Sequence, residues 1–198
     1  MEIKLFNKWD VEGITVQDPG VAAYITLSPK ILPKTGARYA GARFHKSNTF
    51  IVERLVSKLM TTGHKGKKHT ISSGHITGKK NNALSIVKKA FEIIESKTKE
   101  NPVAVFVRAV EAGAPREEVI AIEYGGARYP KAVEVAPQRR VDLVLRHMAQ
   151  GAHMKSFNKK VKIEDTLANE IIAASQSSAR SSAISKKRDL ERQAASSK

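Results

Sequence analysis

The segment at residues 63–82 carries the residue types best suited to phosphate chemistry. It contains Gly63, Gly66, Gly74 and Gly78, no acid, and five lysines: Lys65, Lys67, Lys68, Lys79 and Lys80. The run from Gly74 to Lys80 looks superficially like a nucleotide-binding P-loop, but that motif needs four residues between its glycines and a Ser or Thr after its lysine. Here three residues separate Gly74 from Gly78, and Lys80 stands where the magnesium ligand belongs. We therefore predict that the loop contacts nucleic-acid phosphates; the alternative is a solvated loop that is disordered in the free protein.

The same loop carries the candidate metal ligands His64, His69 and His75. The chain has no cysteine, and no carboxylate lies near these histidines in the sequence, so a fourth zinc ligand is lacking. No nucleophile motif marks out a serine, a histidine and an acid. We predict no metal, no cofactor and no enzymatic activity.

Cations alternate with aromatic residues at residues 37–46. Arg38, Arg43 and Lys46 can contact phosphates, while Tyr39 and Phe44 can stack on unpaired bases. The alternative is a surface tail whose two aromatics dock on the core. We favour RNA contact.

The charge balance also indicates a polyanionic partner. The 198 residues include 35 Lys and Arg against 19 Asp and Glu, which gives a net charge of +16. Binding to a polyanion relieves the resulting self-repulsion and releases condensed counterions. No secretory signal or membrane-spanning run is visible, and the absence of cysteine fits a reducing cytoplasm.

Hydrophobic periodicity predicts six helices, at about residues 48–60, 82–97, 101–113, 137–151, 164–174 and 183–195. The third has Asn101 as its N-cap and Pro102 at its first position. In the first helix, Glu53, Arg54, Ser57 and Lys58 are predicted to face away from the core. The helical acids Glu53, Glu92, Glu95 and Asp142 are interpreted as members of surface ion pairs.

Between the third and fourth helices the pattern alternates with a period of two, which predicts a β-ribbon at 117–135. Gly125-Gly126 forms its turn, so that Tyr124 opposes Ala127 and Glu123 opposes Arg128. The ribbon should either lean on the helices or project into a partner. Its residues Arg128, Tyr129 and Lys131 favour projection.

The predicted fold is therefore mainly α: a six-helix bundle with a protruding two-stranded β-ribbon between helices 3 and 4. An extended N-terminal arm (1–45), rich in proline and glycine, precedes the helical domain (46–198).

This order of elements resembles universal small-subunit ribosomal protein seven, which eukaryotic nomenclature calls protein five. The matching stretches are Ile51-Val52-Glu53-Arg54-Leu55, residues 86–95, Asn101-Pro102, Ala114-Pro115-Arg116-Glu117-Glu118, Tyr124-Gly125-Gly126 and Pro137-Gln138-Arg139-Arg140-Val141. Residues 3–9 and the glycine-lysine insertion after Met60 resemble the archaeal branch.

The resemblance implies a structural protein of the cytoplasmic ribosome that binds the 3′ major domain of small-subunit ribosomal RNA and nucleates head assembly. It also implies a ribbon near the exit-site transfer RNA and the messenger RNA, at Arg128, Tyr129 and Lys131, and contacts with small-subunit ribosomal proteins nine and eleven. The candidate ribosomal-RNA contacts are Arg38, Arg43, Lys46, Lys65, Lys67, Lys68, Lys79, Lys80, Arg139, Arg140 and Arg146. The alternative function is a DNA-binding architectural protein, since a ribbon flanked by basic helices can also grip a duplex.

Overall fold

The computed structural model describes residues 3–36, 41–62 and 78–198. All six predicted helices are present in these ranges, together with a short helix in the arm that the sequence did not predict. The elements are α1 (Pro19–Ala22), a 3-10 turn (His45–Asn48), α2 (Ile51–Leu59), α3 (Lys80–Thr98), α4 (Pro102–Gly113), β1 (Glu117–Tyr124), β2 (Ala127–Glu134), α5 (Pro137–Ser156), α6 (Ile163–Ser175) and α7 (Ser182–Ala195). Because the additional helix is α1, the ribbon lies between α4 and α5.

The core is built around α6, which packs against α3, α4 and α5. Its stripe of Leu167, Ile171 and Ala174 is fully buried, as the period of the sequence predicted. The predicted caps of α4 are confirmed, because the Asn101 side chain accepts a hydrogen bond from Val103 N and Pro102 opens the helix. None of the helices in the described ranges is long and apolar enough to cross a membrane.

The N-terminal arm packs on the bundle along much of its described length. Leu5, Trp9 and Val21 are buried in the same hydrophobic core as the helices. The Trp9 ring meets Phe91 of α3 edge-on at 5.8 Å between centroids, and its Nε1–H donates to Glu95. The arm thus covers one side of the helical domain.

This cover corrects the prediction for the polar face of α2. Glu53 and Arg54 were expected to face solvent, but their side chains are buried, and Glu53 is 0% exposed. Thr35 of the arm donates its N–H and its hydroxyl to Glu53, and the Arg54 guanidinium donates to the Tyr24 carbonyl oxygen at 2.6 Å. Polar groups of the arm therefore cover the polar side of α2. The helical period could not reveal this cover, because it depends on a segment distant in the sequence.

The β-ribbon has the predicted register. Tyr124 pairs with Ala127, Glu123 with Arg128 and Ala121 with Pro130. Its base packs against α7, whereas residues 120–131 are all exposed. The ribbon thus leans on the helices at one end and projects at the other.

Candidate nucleic-acid interface

A surface groove lies between the end of the arm and the start of α5. It encloses about 310 Å³ and is lined by Tyr24, Phe44, Lys46, Ala136, Pro137, Gln138, Arg139, Asp142, Leu143 and Arg146. Arg139, Asp142 and Arg146 share one side of α5 because they are three, four and seven residues apart. The fold thereby brings three candidate RNA contacts, Lys46, Arg139 and Arg146, to one depression.

Phe44 is the one phenylalanine among the residues that line this groove. The residue is 57% exposed, so it is not docked on the core. The Arg43 guanidinium lies 4.9 Å from the centroid of the ring, in a cation–π contact. The backbone of Phe44 has φ +63°, a left-handed conformation that costs a non-glycine residue about 1 kcal/mol or more.

A cluster of cations surrounds Asp142, the one carboxylate among the residues that line the groove. Asp142 forms ion pairs with Lys46 and with Arg54, the latter at 3.3 Å. Burial would raise the pKa of Asp142, but the hydrogen bond and charge of Lys46, helped by Lys58 and Arg54, hold it below its usual value. Burial lowers the pKa of Lys58, and the charges of Arg146, Lys46 and Arg54 add to this against the opposing charge of Asp142. One acid therefore balances only part of the local positive charge.

Two of the arginines predicted to bind RNA have strong partners inside the protein. Arg139 makes a bidentate pair with Glu118 at the base of β1, with both Nε–Oε1 and Nη2–Oε2 at 2.8 Å. Arg140 is 8% exposed, and it donates to the Pro115 carbonyl oxygen at 3.1 Å and to Asp18 at 2.8 Å. Arg140 thus links the arm to the ribbon base, and its geometry is that of a structural residue.

The remaining candidate cations fall into two groups. Lys80 opens α3 and pairs with the buried Glu53, whereas Lys79 is exposed. Arg43, Lys79 and Arg146 have no carboxylate partner in the part of the chain that the structure describes. Four candidates, Arg38, Lys65, Lys67 and Lys68, lie outside the described residues, as do Tyr39 and the three loop histidines. Within residues 3–36, 41–62 and 78–198, no group of His and acidic side chains could hold a metal ion.

The ribbon presents a second exposed surface. Tyr129 is 58% exposed opposite Ile122, and Lys131 lies opposite Ile120 on the same face. Arg128 lies on the other face, 3.4 Å from Glu123 across the strands. The three ribbon residues singled out from the sequence therefore divide between two faces.

Sequence reasoning missed the groove and the contribution of Tyr24 to its lining. The separation of Arg139 from Arg146 by seven residues was the available signal, because it places both on one side of a helix. The opposing wall comes from residues about a hundred positions earlier, which no local pattern connects to α5.

The fold and these surfaces define a structural protein with a helical core and exposed cationic and aromatic groups, of the class that binds nucleic acid. The family model for ribosomal protein S7p/S5e matches residues 21–198. The chain is 53% identical over 198 residues to small ribosomal subunit protein uS7 of Nanoarchaeum equitans, covering all of both chains. It is 45% identical to the uS7 protein of Archaeoglobus fulgidus over 197 residues, which cover 100% of this chain and 96% of the relative. With the Picrophilus torridus uS7 protein it shares 46% identity over 198 residues, covering all of both chains.

The chain belongs to the ribosomal protein S7p/S5e family, in its archaeal form. It is therefore a structural constituent of the small ribosomal subunit, and the resemblance identified from the sequence is confirmed.

Proposed function

We propose that the protein binds the 3′ major domain of small-subunit ribosomal RNA directly and nucleates assembly of the subunit head. The observation that carries the proposal is the groove at the start of α5. Arg146 has no acidic partner there among the described residues, Phe44 presents an exposed ring in the same groove, and Arg43 lies over that ring. Cations for phosphates beside an aromatic ring for an unpaired base are what folded RNA requires of a protein surface.

The ribbon completes the proposed function. Its tip lies close to the exit-site transfer RNA and the messenger RNA, with Tyr129 and Lys131 on one face and Arg128 on the other. Small-subunit ribosomal proteins nine and eleven contact the assembled protein, which acts in cytoplasmic ribosomes. Support comes from the exposure of every residue from 120 to 131, since a projecting two-stranded ribbon gains stability from a partner.

The direct test is the salt dependence of binding to a transcript of the 3′ major domain. The logarithm of the association constant should fall linearly with the logarithm of salt concentration, by roughly 0.7–0.9 per phosphate neutralised. Arg146→Ala should reduce this slope by about one such increment. The matched control is Arg108→Ala. It removes an exposed arginine of α4 that forms an ion pair with Glu100, which lies just before that helix. Equal effects of the two substitutions, or a flat salt dependence, would refute the electrostatic role of the groove.

A DNA-binding architectural protein is the second candidate, because an exposed ribbon beside basic helices also suits duplex DNA. Competition separates the two functions. Unlabelled duplex DNA of equal nucleotide concentration should displace the labelled transcript far less effectively than unlabelled transcript does. Equal displacement would favour the DNA-binding alternative.

A further inference from the structure

We infer that the groove at the start of α5 is a binding site for one unpaired nucleotide, whose base stacks on Phe44 and whose phosphate is bound by Arg146. This inference rests on the proposed RNA-binding function and specifies what the RNA must present at this point. It requires a nucleotide turned out of the helical stack.

The exposure of Phe44 is the first step of the argument. Phe44 is 57% exposed, so its side chain leaves apolar surface in water, and burial of such surface is favourable. The left-handed backbone at φ +63° adds a local cost. Arg43 lies over the ring, and a base stacking on the opposite face would cover much of the exposed area. Base–aromatic stacking of this kind is sequence-tolerant, since every base has a π-face.

The volume of the groove is consistent with a single unpaired nucleotide as its occupant. A volume of about 310 Å³ is at the lower end of the range for small-molecule sites, roughly 300–1,000 Å³. The half-buried Tyr24 and the buried Leu143 supply apolar lining for a flat ring. In a duplex the bases are stacked inside and do not present a face, so an unpaired nucleotide fits and paired RNA does not.

The charge of the groove favours a nucleotide over the side chain of a partner protein. Lys46, Arg139 and Arg146 line it against the single acid Asp142, which forms an ion pair with Lys46. Arg139 is neutralised by Glu118, whereas Arg146 has no carboxylate partner among the described residues. An occupant that carries a phosphate matches this surplus, and an apolar anchor from a protein does not.

The stacking role is tested by removing the ring while keeping an apolar side chain. Phe44→Leu should weaken binding to the 3′-domain transcript about 5- to 100-fold, without changing the salt slope, because no charge is removed. Phe44→Tyr should restore most of the affinity. The matched control is Phe157→Leu, at another exposed phenylalanine (40%) beside several lysines, and it should leave affinity unchanged.

A direct readout comes from tryptophan fluorescence. The chain has one tryptophan, the buried Trp9, so Phe44→Trp introduces an exposed reporter with a distinct emission. A six-nucleotide single strand should quench this emission, whereas a duplex of the same length should not. Phe157→Trp serves as the control reporter, and its emission should respond to neither.

The outcomes distinguish this inference from the function on which it rests. If the unsubstituted protein does not bind the transcript, both are wrong. If it binds but Phe44→Leu binds equally well, or if both tryptophan reporters are quenched alike, the nucleotide site is wrong and RNA binding stands. If Phe44→Leu impairs only the association with another ribosomal protein, the groove is a protein-binding site and the inference is overturned.

Discussion

Helix α5 contains a half-buried titratable side chain, His147, whose protonation should destabilise the protein. His147 follows Arg146, and its Nε2 is buried with no hydrogen-bond partner among the described residues. Burial, together with the charges of Arg146 and of Lys186 on α7, lowers the pKa of His147 from 6.5 to about 4. A proton on this ring would add a third positive charge where solvent cannot screen it well.

The magnitude of the effect follows from proton linkage. Between pH 6.5 and 4 the unfolded chain binds the His147 proton and the folded chain does not, so the free energy of unfolding increases with pH in this window. The stabilisation is complete above about pH 6.5 and declines as the pH falls toward 4. At pH 5 the loss is about 2 kcal/mol, which corresponds to roughly 4–8 °C in Tm for a chain of this size.

Urea unfolding followed by circular dichroism at pH 7 and pH 5, at constant ionic strength, measures this loss. His147→Leu keeps the site apolar and removes the titration, so the variant should lose about 2 kcal/mol less than the unsubstituted protein over the same interval. The pKa values of Asp18, Glu53 and Asp142 are lowered, so these carboxylates stay ionised in the folded protein at pH 5 and contribute little. Identical pH dependence in both proteins would refute the assignment to His147.

Three further substitutions test how the elements are joined, all read out as the free energy of unfolding in urea. Arg140→Met removes the guanidinium that links the arm to the ribbon base, and we expect a loss of about 3 kcal/mol. Gly151→Ala places a Cβ 2.5 Å from Ser182 Oγ, and overpacking should cost about 1–2 kcal/mol after the gain in helix propensity. Glu53→Gln keeps the shape of a buried side chain but removes its pairing with Lys80, and we expect a loss of about 1–3 kcal/mol. The loss of stability caused by Glu53→Gln should be complete above about pH 4.5 and should shrink as the pH falls through the pKa of Glu53. Burial raises this pKa, but the hydrogen bonds from Lys80 and Thr35 and the charge of Lys80 hold it below its usual value.

Matched controls separate these effects from a general sensitivity to substitution. Arg192→Met removes an arginine with an 80% exposed side chain from α7 and should change the free energy of unfolding by less than about 0.5 kcal/mol. Combining Gly151→Ala with Ser182→Gly should restore much of the lost stability, because it removes the Oγ and Cβ of Ser182, which would lie 2.5 and 2.6 Å from the new Cβ. A cost for Arg192→Met as large as that for Arg140→Met would contradict the importance of burial.

The helices and the ribbon could be predicted because their signals are local. Asn101 and Pro102 define the start of α4 through the geometry of a helix N-terminus, and Gly125-Gly126 defines the ribbon turn through its tolerance of positive φ. The short α1 was not predicted, because Pro19–Ala22 is only four residues long and has no period.

The burial of polar groups could not be predicted in the same way. A helical period distinguishes the core side of α2 from its other side, but it does not show that an arm will cover the other side. Glu53 and Arg54 therefore looked like surface residues until Thr35 and Tyr24 were seen to contact them. The groove has the same origin, since Phe44 and Arg146 meet only in the folded chain.

The anchorage of the ribbon has a mechanical consequence. Each strand has eight residues and spans about 26 Å. The ribbon is attached at its root, where Glu118 pairs with Arg139 and Val135 N donates to the Arg116 carbonyl oxygen at 2.9 Å. The ribbon is thus a lever held at one end, and a small rotation at the root becomes a large displacement of the turn at Gly125-Gly126. The orientation of the turn is consequently determined by residues at the root, which lie far from any partner that the turn contacts.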